Sequence, residues 1–305
     1  MKKNTKGALL ALSAGALWGG LGITVRMLAG CGLSAMQIVA LRFCMATLLL
    51  GLFITATDRR KFHVEKKDWK LLLLLGLGCI LVFNTAYTIT IGLTTLSTAS
   101  LLLYTSPVWA TLLSVPVCKE KLTGRKVLAI CLCFCGLVLM SGILTGAPAV
   151  TALGLATGLL AGVGYGCYGV FGKLLMERYH PLTTTFYTFA LAGIGGMLLC
   201  NPAEAVFILR EQPKILVMLL LAALVCVVAP YLLYNMALSR MEASRAAVIV
   251  AVEPVSAAIC GWIVYHEPIL PITMAGMLGI LLSILVLNWP KPVQNSQKAA
   301  QTKNG

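Results

Sequence analysis

Long apolar blocks, separated only by short polar connections, restrict the fold of this chain of 305 residues more than any other feature. A helix needs about 20 apolar residues to cross the hydrocarbon core of a bilayer. Blocks of that length recur from residue 7 to residue 288, and only 11% of the residues are charged. A typical soluble domain carries about 25% charged residues. The chain is therefore predicted to be an all-α integral membrane protein.

The apolar blocks and their polar interruptions predict ten transmembrane helices. The first five are Gly7–Leu28, Ser34–Thr55, Leu71–Ile91, Ser97–Val117 and Val127–Leu144. The second five are Leu153–Leu174, Leu182–Cys200, Ile215–Met236, Ser244–Tyr265 and Ile272–Asn288. The polar residues 291–305 are predicted to form a disordered cytoplasmic tail.

Basic residues are distributed unevenly among the connections. Short cytoplasmic loops of membrane proteins are enriched in Lys and Arg. With ten spans, one side collects nearly all basic loop residues, whereas the other has only Arg210 and Lys214. We therefore expect a multi-pass protein of the plasma (inner) membrane with both termini in the cytoplasm. The net charge of +14 reflects this orientation, so nucleic acid is not an expected partner.

The chain repeats itself, because residues 147 positions apart match in type without a gap over most of its length. Matching pairs include Gly15 and Gly162, Arg26 and Lys173, Tyr87 and Tyr234, Ser97 and Ser244, Pro107 and Pro254, and Glu120 and Glu267. Each copy holds an odd number of spans, so the second copy must enter the membrane from the opposite side. The predicted architecture is two inverted five-helix repeats, residues 1–147 and 148–290. Inverted repeats are typical of transporters that open a central site alternately to each side.

Short motifs, in their order and spacing, resemble those of EamA-type members of the drug/metabolite transporter superfamily. They are Trp18-Gly19 with Arg26, Ala40-Leu41-Arg42-Phe43, Pro107 followed by Glu120, and Glu253-Pro254 followed by Glu267. The resemblance covers Gly7 to Asn288 and implies ten helices and the export or exchange of small metabolites. It does not identify the cargo, because relatives handle amino acids, nucleosides, sugars and drugs.

Two ionisable residues fall close to mid-membrane in the predicted spans, where a charge costs about 2.5 to 3.5 kcal/mol on insertion scales. They are Arg42 and Glu253. Both are candidate substrate-binding residues, Arg42 for a carboxylate or phosphate and Glu253 for a proton or a cationic group. The alternative is a structural ion pair between them.

Further candidates come from aromatic, amide, proline and glycine residues within the spans. The other candidate substrate-binding residues are Trp18, Asn84, Tyr87, Tyr104, Tyr231, Tyr234 and Asn235. Arg26 and Lys173 lie near span ends as candidate anchors or gates, and Pro107 and Pro254 are candidate hinges. The glycines at 15, 19 and 22 and at 158, 162, 166 and 169 form stripes that allow close helix packing or, if the halves rock, sliding. Glu120 and Glu267 are expected to cap helices or bond loops.

These features favour a secondary active transporter that exports or exchanges a small amino-acid-like metabolite by alternating access. Its partners are the substrate and the lipid bilayer, with proton coupling through Glu253 as a hypothesis and the oligomeric state open. The alternative is a non-transporting membrane partner or assembly subunit. An enzyme is not expected, because no paired His, catalytic Ser motif, Gly-rich phosphate loop or metal cluster is visible, and no cofactor or metal is predicted.

Overall fold

The protein is all-α in the part of the chain that its computed structural model describes, which comprises residues 2–94, 96–140, 144, 151–265 and 270–288. No strand occurs among these residues. Eight helices are long and apolar enough to cross a membrane. The predicted tail at 291–305 and Glu267 lie outside the described residues.

We number the long helices in chain order. The first five are α1 (Thr5–Gly30), α2 (Ala35–Thr57), α3 (Lys66–Leu93), α4 (Ala99–Cys118) and α5 (Gly124–Met140). The others are α6 (Ala152–Met176), α7 (Pro181–Leu199), α8 (Lys214–Leu238), α9 (Ala243–Val264) and α10 (Pro271–Asn288). The eight candidate spans confirm the prediction of an all-α membrane protein. The shorter helices α5 and α10 coincide with the fifth and tenth predicted spans, and the count of ten spans stays a prediction.

A short helix, Pro202–Glu211, was not among the predicted spans, because it has only 10 residues and contains charged side chains. Asn201 caps its first turn by accepting a hydrogen bond from the Glu204 amide at 3.4 Å, and Pro202 occupies the first turn, where a missing N–H costs nothing. The Gln37 side chain at the start of α2 donates to the Glu204 carboxylate at 3.1 Å. These polar contacts hold the short helix against the start of α2.

Three helices are interrupted near their middles. In α1 the break lies at Gly19 and Gly20, and in α4 it lies at Tyr104 and Thr105. The break in α9 at Ala251 and Val252 comes directly before Glu253 and Pro254. Proline lacks the amide hydrogen that continues a helix, which accounts for the breaks beside Pro107 and Pro254. The two prolines expected to be hinges therefore lie at real discontinuities.

The helices pack as two similar groups with two helix pairs beside them. Group A consists of α1, α8 and α9, and group B consists of α6, α3 and α4. Helix α2 packs along α7, and α5 packs along α10. The second half of α9, Glu253–Tyr265, packs mainly on α1 and α10, whereas its first half, Ala243–Val250, also packs on α4 and α6 of group B.

The glycine stripes lie within these groups. A Cβ on Gly15 would fall 2.6 Å from the Val250 carbonyl oxygen, so this glycine lets α1 pack directly on α9. A Cβ on Gly166 would fall 3.0 Å from the Ser106 carbonyl oxygen, so α6 meets α4 in the same way. Close packing of backbones is what small residues provide between membrane helices. Gly15 and Gly166 therefore allow close packing inside their groups, whereas a Cβ on Gly169 would lie 2.9 Å from the Tyr234 hydroxyl of α8 in group A.

One face of the bundle brings together the ends of α4, α6 and α8 and the starts of α5 and α9. The contacts of Glu120 and a cavity, both described below, connect them. We call this the basic face, because it carries Lys119, Lys126, Lys173 and Arg240.

Candidate functional site

A small pocket lies between the two groups, near the middle of the bundle. Its lining from group A and α2 is Trp18, Leu21, Arg42, Cys226, Tyr231 and Glu253. Its lining from group B is Phe83, Asn84, Tyr87, Leu103 and Tyr165. The volume open to the centre of a water-sized sphere is about 20 Å³, which is room for one or two water molecules. The pocket in this structure is therefore too small for a metabolite.

Glu253 lies at the pocket because the break in α9 places it in the first turn of a new helical segment. Its carboxylate accepts a hydrogen bond from the hydroxyl of Tyr104, which lies at the break in α4. The same hydroxyl lies 3.3 Å from the Val250 carbonyl oxygen. That carbonyl would accept from residue 254 in a continuous helix, but Pro254 has no amide hydrogen. The two breaks thus meet at one hydrogen-bonded contact between groups A and B.

Arg42 reaches the pocket from the middle of α2 and is 2% exposed. Its Nε is buried without a hydrogen-bond partner. Among the ion pairs of the described residues, none joins Arg42 to Glu253. The two residues line the same pocket without the direct contact that a structural ion pair requires. A buried charge that lacks a partner is costly, because the hydration it loses is not replaced.

Aromatic rings form the rest of the wall. The Trp18 ring is edge-on to Tyr231, with ring centroids 5.0 Å apart, and edge-on to Tyr165 at 6.0 Å. Phe83 stacks on Tyr165 at 5.2 Å. Aromatic surfaces bind apolar groups, and the ring faces also attract cations. The pocket therefore combines one acidic side chain, one basic side chain and an aromatic surface.

Six of the predicted substrate-binding residues line this pocket: Arg42, Glu253, Trp18, Asn84, Tyr87 and Tyr231. Tyr104 lies beside the pocket and donates a hydrogen bond to Glu253. The Tyr234 ring packs on Trp18, with ring centroids 5.7 Å apart. Asn235 is fully buried elsewhere, where it accepts from Tyr168 at 2.9 Å and donates to Thr185 at 2.7 Å. Its role in the structure is to join α6, α7 and α8.

The two candidate anchors or gates lie away from the pocket. Arg26 is exposed near the end of α1. Lys173 lies at the basic face, where its Nζ is 3.2 Å from the Glu120 carboxylate.

Several residues that line the pocket were not among the predicted ones. Tyr165 lies 147 positions after Trp18, so the repeat offset, applied to a candidate already chosen, would have found it. Phe83, Cys226, Leu21 and Leu103 carry no comparable signal, because apolar residues fill every span. Among the described residues, no three His, Cys, Asp or Glu side chains are placed to share a metal ion.

Comparison with known proteins decides the family. The sequence profile of the EamA-like transporter family matches residues 5–142 and again residues 152–289. The chain belongs to the EamA-like transporter family. The resemblance inferred from the motifs is confirmed. The second EamA match begins and ends 147 residues after the first.

Relatives of this EamA protein are named as transporters, and their names give no substrate. An "uncharacterized transporter" of Archaeoglobus fulgidus is 27% identical over 256 residues, which cover 84% of this chain and 89% of the relative. The uncharacterized transporter YwfM of Bacillus subtilis is 24% identical over 296 residues, with 96% and 97% covered. A solved structure, titled only as the crystal structure of a protein, shares the fold with a TM-score of 0.75 at 15% identity and covers 99% of both chains. The protein is a membrane transporter of the drug/metabolite kind.

Proposed function

We propose that this EamA protein is a secondary active transporter that exports or exchanges an amino-acid-like zwitterion by alternating access at the pocket between groups A and B. The observation that carries the proposal is the presence of Arg42 and Glu253 in one aromatic-walled pocket without a direct ion pair. In this arrangement Glu253 binds the ammonium group and Arg42 binds the carboxylate. The rings of Trp18, Tyr165 and Tyr231 contact an apolar side chain.

Packing between repeat-related residues supports an inverted repeat, which alternating access uses. A residue near a two-fold axis contacts its own counterpart. Asn84 donates to the Tyr231 hydroxyl at 3.2 Å, and these residues are 147 positions apart. Trp18 and Tyr165, related by the same offset, are also in contact. Groups A and B are equivalent under this offset, since α1, α8 and α9 correspond to α6, α3 and α4. Two equivalent groups around a central site can exchange conformations and open it to either side.

The charge distribution supports an orientation with the basic face in the cytoplasm. The basic loop residues collect on the side that the sequence assigns to the cytoplasm, and Lys126, Lys173 and Arg240 lie there. We propose the plasma membrane as the location, with both termini on the cytoplasmic side.

Proton coupling through Glu253 is a second part of the proposal. The Glu253 carboxylate is the acidic group of the pocket, and it is held by Tyr104 of the opposite group. Protonation would remove the charge that Tyr104 and a substrate ammonium compete for. The test is transport into proteoliposomes under an imposed pH gradient. Glu253→Gln should abolish the response to the gradient, and an undiminished response would contradict this part.

The substrate class is tested by thermal stabilisation of the purified protein, since a bound ligand stabilises by mass action. The probes are an aromatic amino acid, its decarboxylated amine, its N-acetyl derivative and a neutral sugar. We expect stabilisation by the zwitterion and little by the others. Glu253→Gln should abolish it, as should Arg42→Gln, whereas the exposed-site controls Glu65→Gln and Arg59→Gln should retain it. Equal stabilisation by the zwitterion in wild type and Arg42→Gln would contradict the role of Arg42.

A further inference from the structure

Glu120, expected from the sequence to cap a helix or bond a loop, is at the centre of a buried polar cluster on the basic face. Its side chain is 4% exposed. The carboxylate accepts from the Ala243 amide at 2.8 Å and from the Ser244 hydroxyl. It also pairs with Lys126 at 3.1 Å and with Lys173 at 3.2 Å. Capping of α9 is thus only one of its contacts.

The local backbone turns Glu120 into this position. Lys119, which ends α4, has a φ of 53° and lies in the left-handed region. For an L-residue other than Gly, Asn or Asp this conformation costs roughly 1 kcal/mol. The Glu120 amide then donates back to the Ser114 carbonyl at 3.1 Å. The chain therefore holds a strained turn that directs the carboxylate toward the neighbouring helices.

The contacts of Glu120 join the two helix groups. Glu120 follows α4 and Lys173 belongs to α6, so both are attached to group B. Ala243 and Ser244 begin α9, which belongs to group A. A second contact runs from Lys126, in the first turn of α5, to Glu242, directly before α9, at 3.0 Å. A negative side chain at the start of a helix is also favoured by the helix dipole. Any movement that separates α9 from α4 on this face must break these bonds.

A cavity of about 360 Å³ lies beside the cluster on the same face. We call it the vestibule. Its lining is Lys173, Glu177, Leu238, Ser239, Arg240, Met241, Glu242 and Arg245. Along α6 and α8, Lys173 and Leu238 lie roughly 10 to 12 Å beyond the pocket residues Tyr165 and Tyr231. The vestibule thus lies on the line from the central pocket to the basic face.

We propose that Glu120 is the latch of the gate on the basic face, holding the start of α9 against α4 and so separating the vestibule from the central pocket. The inference rests on the proposed function in that it requires the two groups to move. When the latch opens, the carboxylate releases Ser244 and Ala243, and the vestibule joins the pocket as the path of the substrate. Lys126 and Lys173 stay near Glu120 and keep it from being left as an unpaired charge.

The ionisation of Glu120 supports this role. Burial raises its pKa, but the Ser244 hydrogen bond and the charges of Lys173 and Lys126 outweigh burial and lower the pKa from 4.5 to about 2. The carboxylate is therefore charged at every physiological pH. The latch opens by separation of its partners and not by protonation of Glu120.

Thiol labelling in lipid nanodiscs tests the latch without any substrate. Ala247→Cys supplies the reporter, because Ala247 is 4% exposed and lies one turn beyond Ser244 on α9. A water-soluble maleimide is added, and labelling is quantified peptide by peptide. Native Cys133, 2% exposed in α5, reports any general loosening. We expect Glu120→Gln to speed labelling of the Ala247→Cys thiol about tenfold, with Cys133 unchanged.

Controls separate the latch from charge and from folding. Glu65→Gln removes an acid that is paired with Lys67 at an exposed site, and it should leave labelling unchanged. If Glu120→Gln does not fold, Ser244→Ala removes one latch bond and should speed labelling about threefold. Unchanged labelling in the folded variant, or a parallel rise at Cys133, would overturn the proposal. Faster labelling without stabilisation by any zwitterion would retain the latch and reject the proposed substrate.

Discussion

The substitution Gly162→Ala tests whether the glycine stripe of α6 is a fixed packing face or a surface that slides during transport. A Cβ on Gly162 would lie 2.2 Å from Thr105 Oγ1 and 2.8 Å from the Leu102 carbonyl oxygen. The Thr105 side chain can rotate away, but Leu102 contributes backbone. Ordinary Cβ contacts begin near 3.4 Å, so α4 must move away by about 0.6 Å.

The expected cost follows from two opposing effects. Overpacking of this kind costs about 1 to 3 kcal/mol. Replacing glycine by alanine inside a helix stabilises the folded protein by about 0.5 to 1 kcal/mol. Gly172→Ala in the same helix is the matched control, because its Cβ would meet only Leu238 Cδ1 at 3.8 Å. Gly162→Ala should therefore be less stable than Gly172→Ala by about 1 to 3 kcal/mol, a Tm difference on the order of 5 °C.

Thermal unfolding can be followed with a thiol-reactive fluorophore, because Cys79, Cys133 and Cys226 are buried and become reactive when the protein unfolds. Transport is measured on the same variants well below their Tm. A packing face predicts lower Tm with transport retained. Equal Tm for the two alanine variants would refute the packing argument, and lost transport at equal Tm would favour sliding.

Two further predictions use the same assay. The pKa of Glu120 is lowered in the folded protein. The stabilisation that its charge gives the folded state is therefore complete above about pH 4.5 and is lost as the pH falls through about 2. The Tm difference between wild type and Glu120→Gln should thus be constant from pH 6 to 8, and a decline across that interval would contradict the low pKa. Tyr168→Phe removes the hydroxyl that donates to Asn235 at 2.9 Å and leaves a buried acceptor unpaired. The free energy of unfolding should therefore fall by about 1 to 3 kcal/mol. An unchanged Tm would show that this hydrogen bond does not stabilise the contact between α6 and α8.

The amino-acid sequence determined the membrane class, the approximate spans and the family. The reason is that these properties depend on local composition or on comparison of the chain with itself. A block of about 20 apolar residues has few alternatives to a membrane helix. The offset of 147 residues needs no knowledge of folding, and it agrees with the positions of the two EamA matches. Arg42 and Glu253 were conspicuous because charges are rare in such blocks.

Only the tertiary structure decided which spans are neighbours and therefore which side chains meet. The membrane helices are apolar on nearly every side, so their pattern does not distinguish a protein-facing surface from a lipid-facing one. Glu120 and Ser244 are 124 positions apart, and their contact exists only because α4 and α9 pack at the basic face. The same holds for Tyr104 and Glu253, which meet where two interrupted helices cross. The sequence shows that such polar groups are present, and helix packing determines their partners.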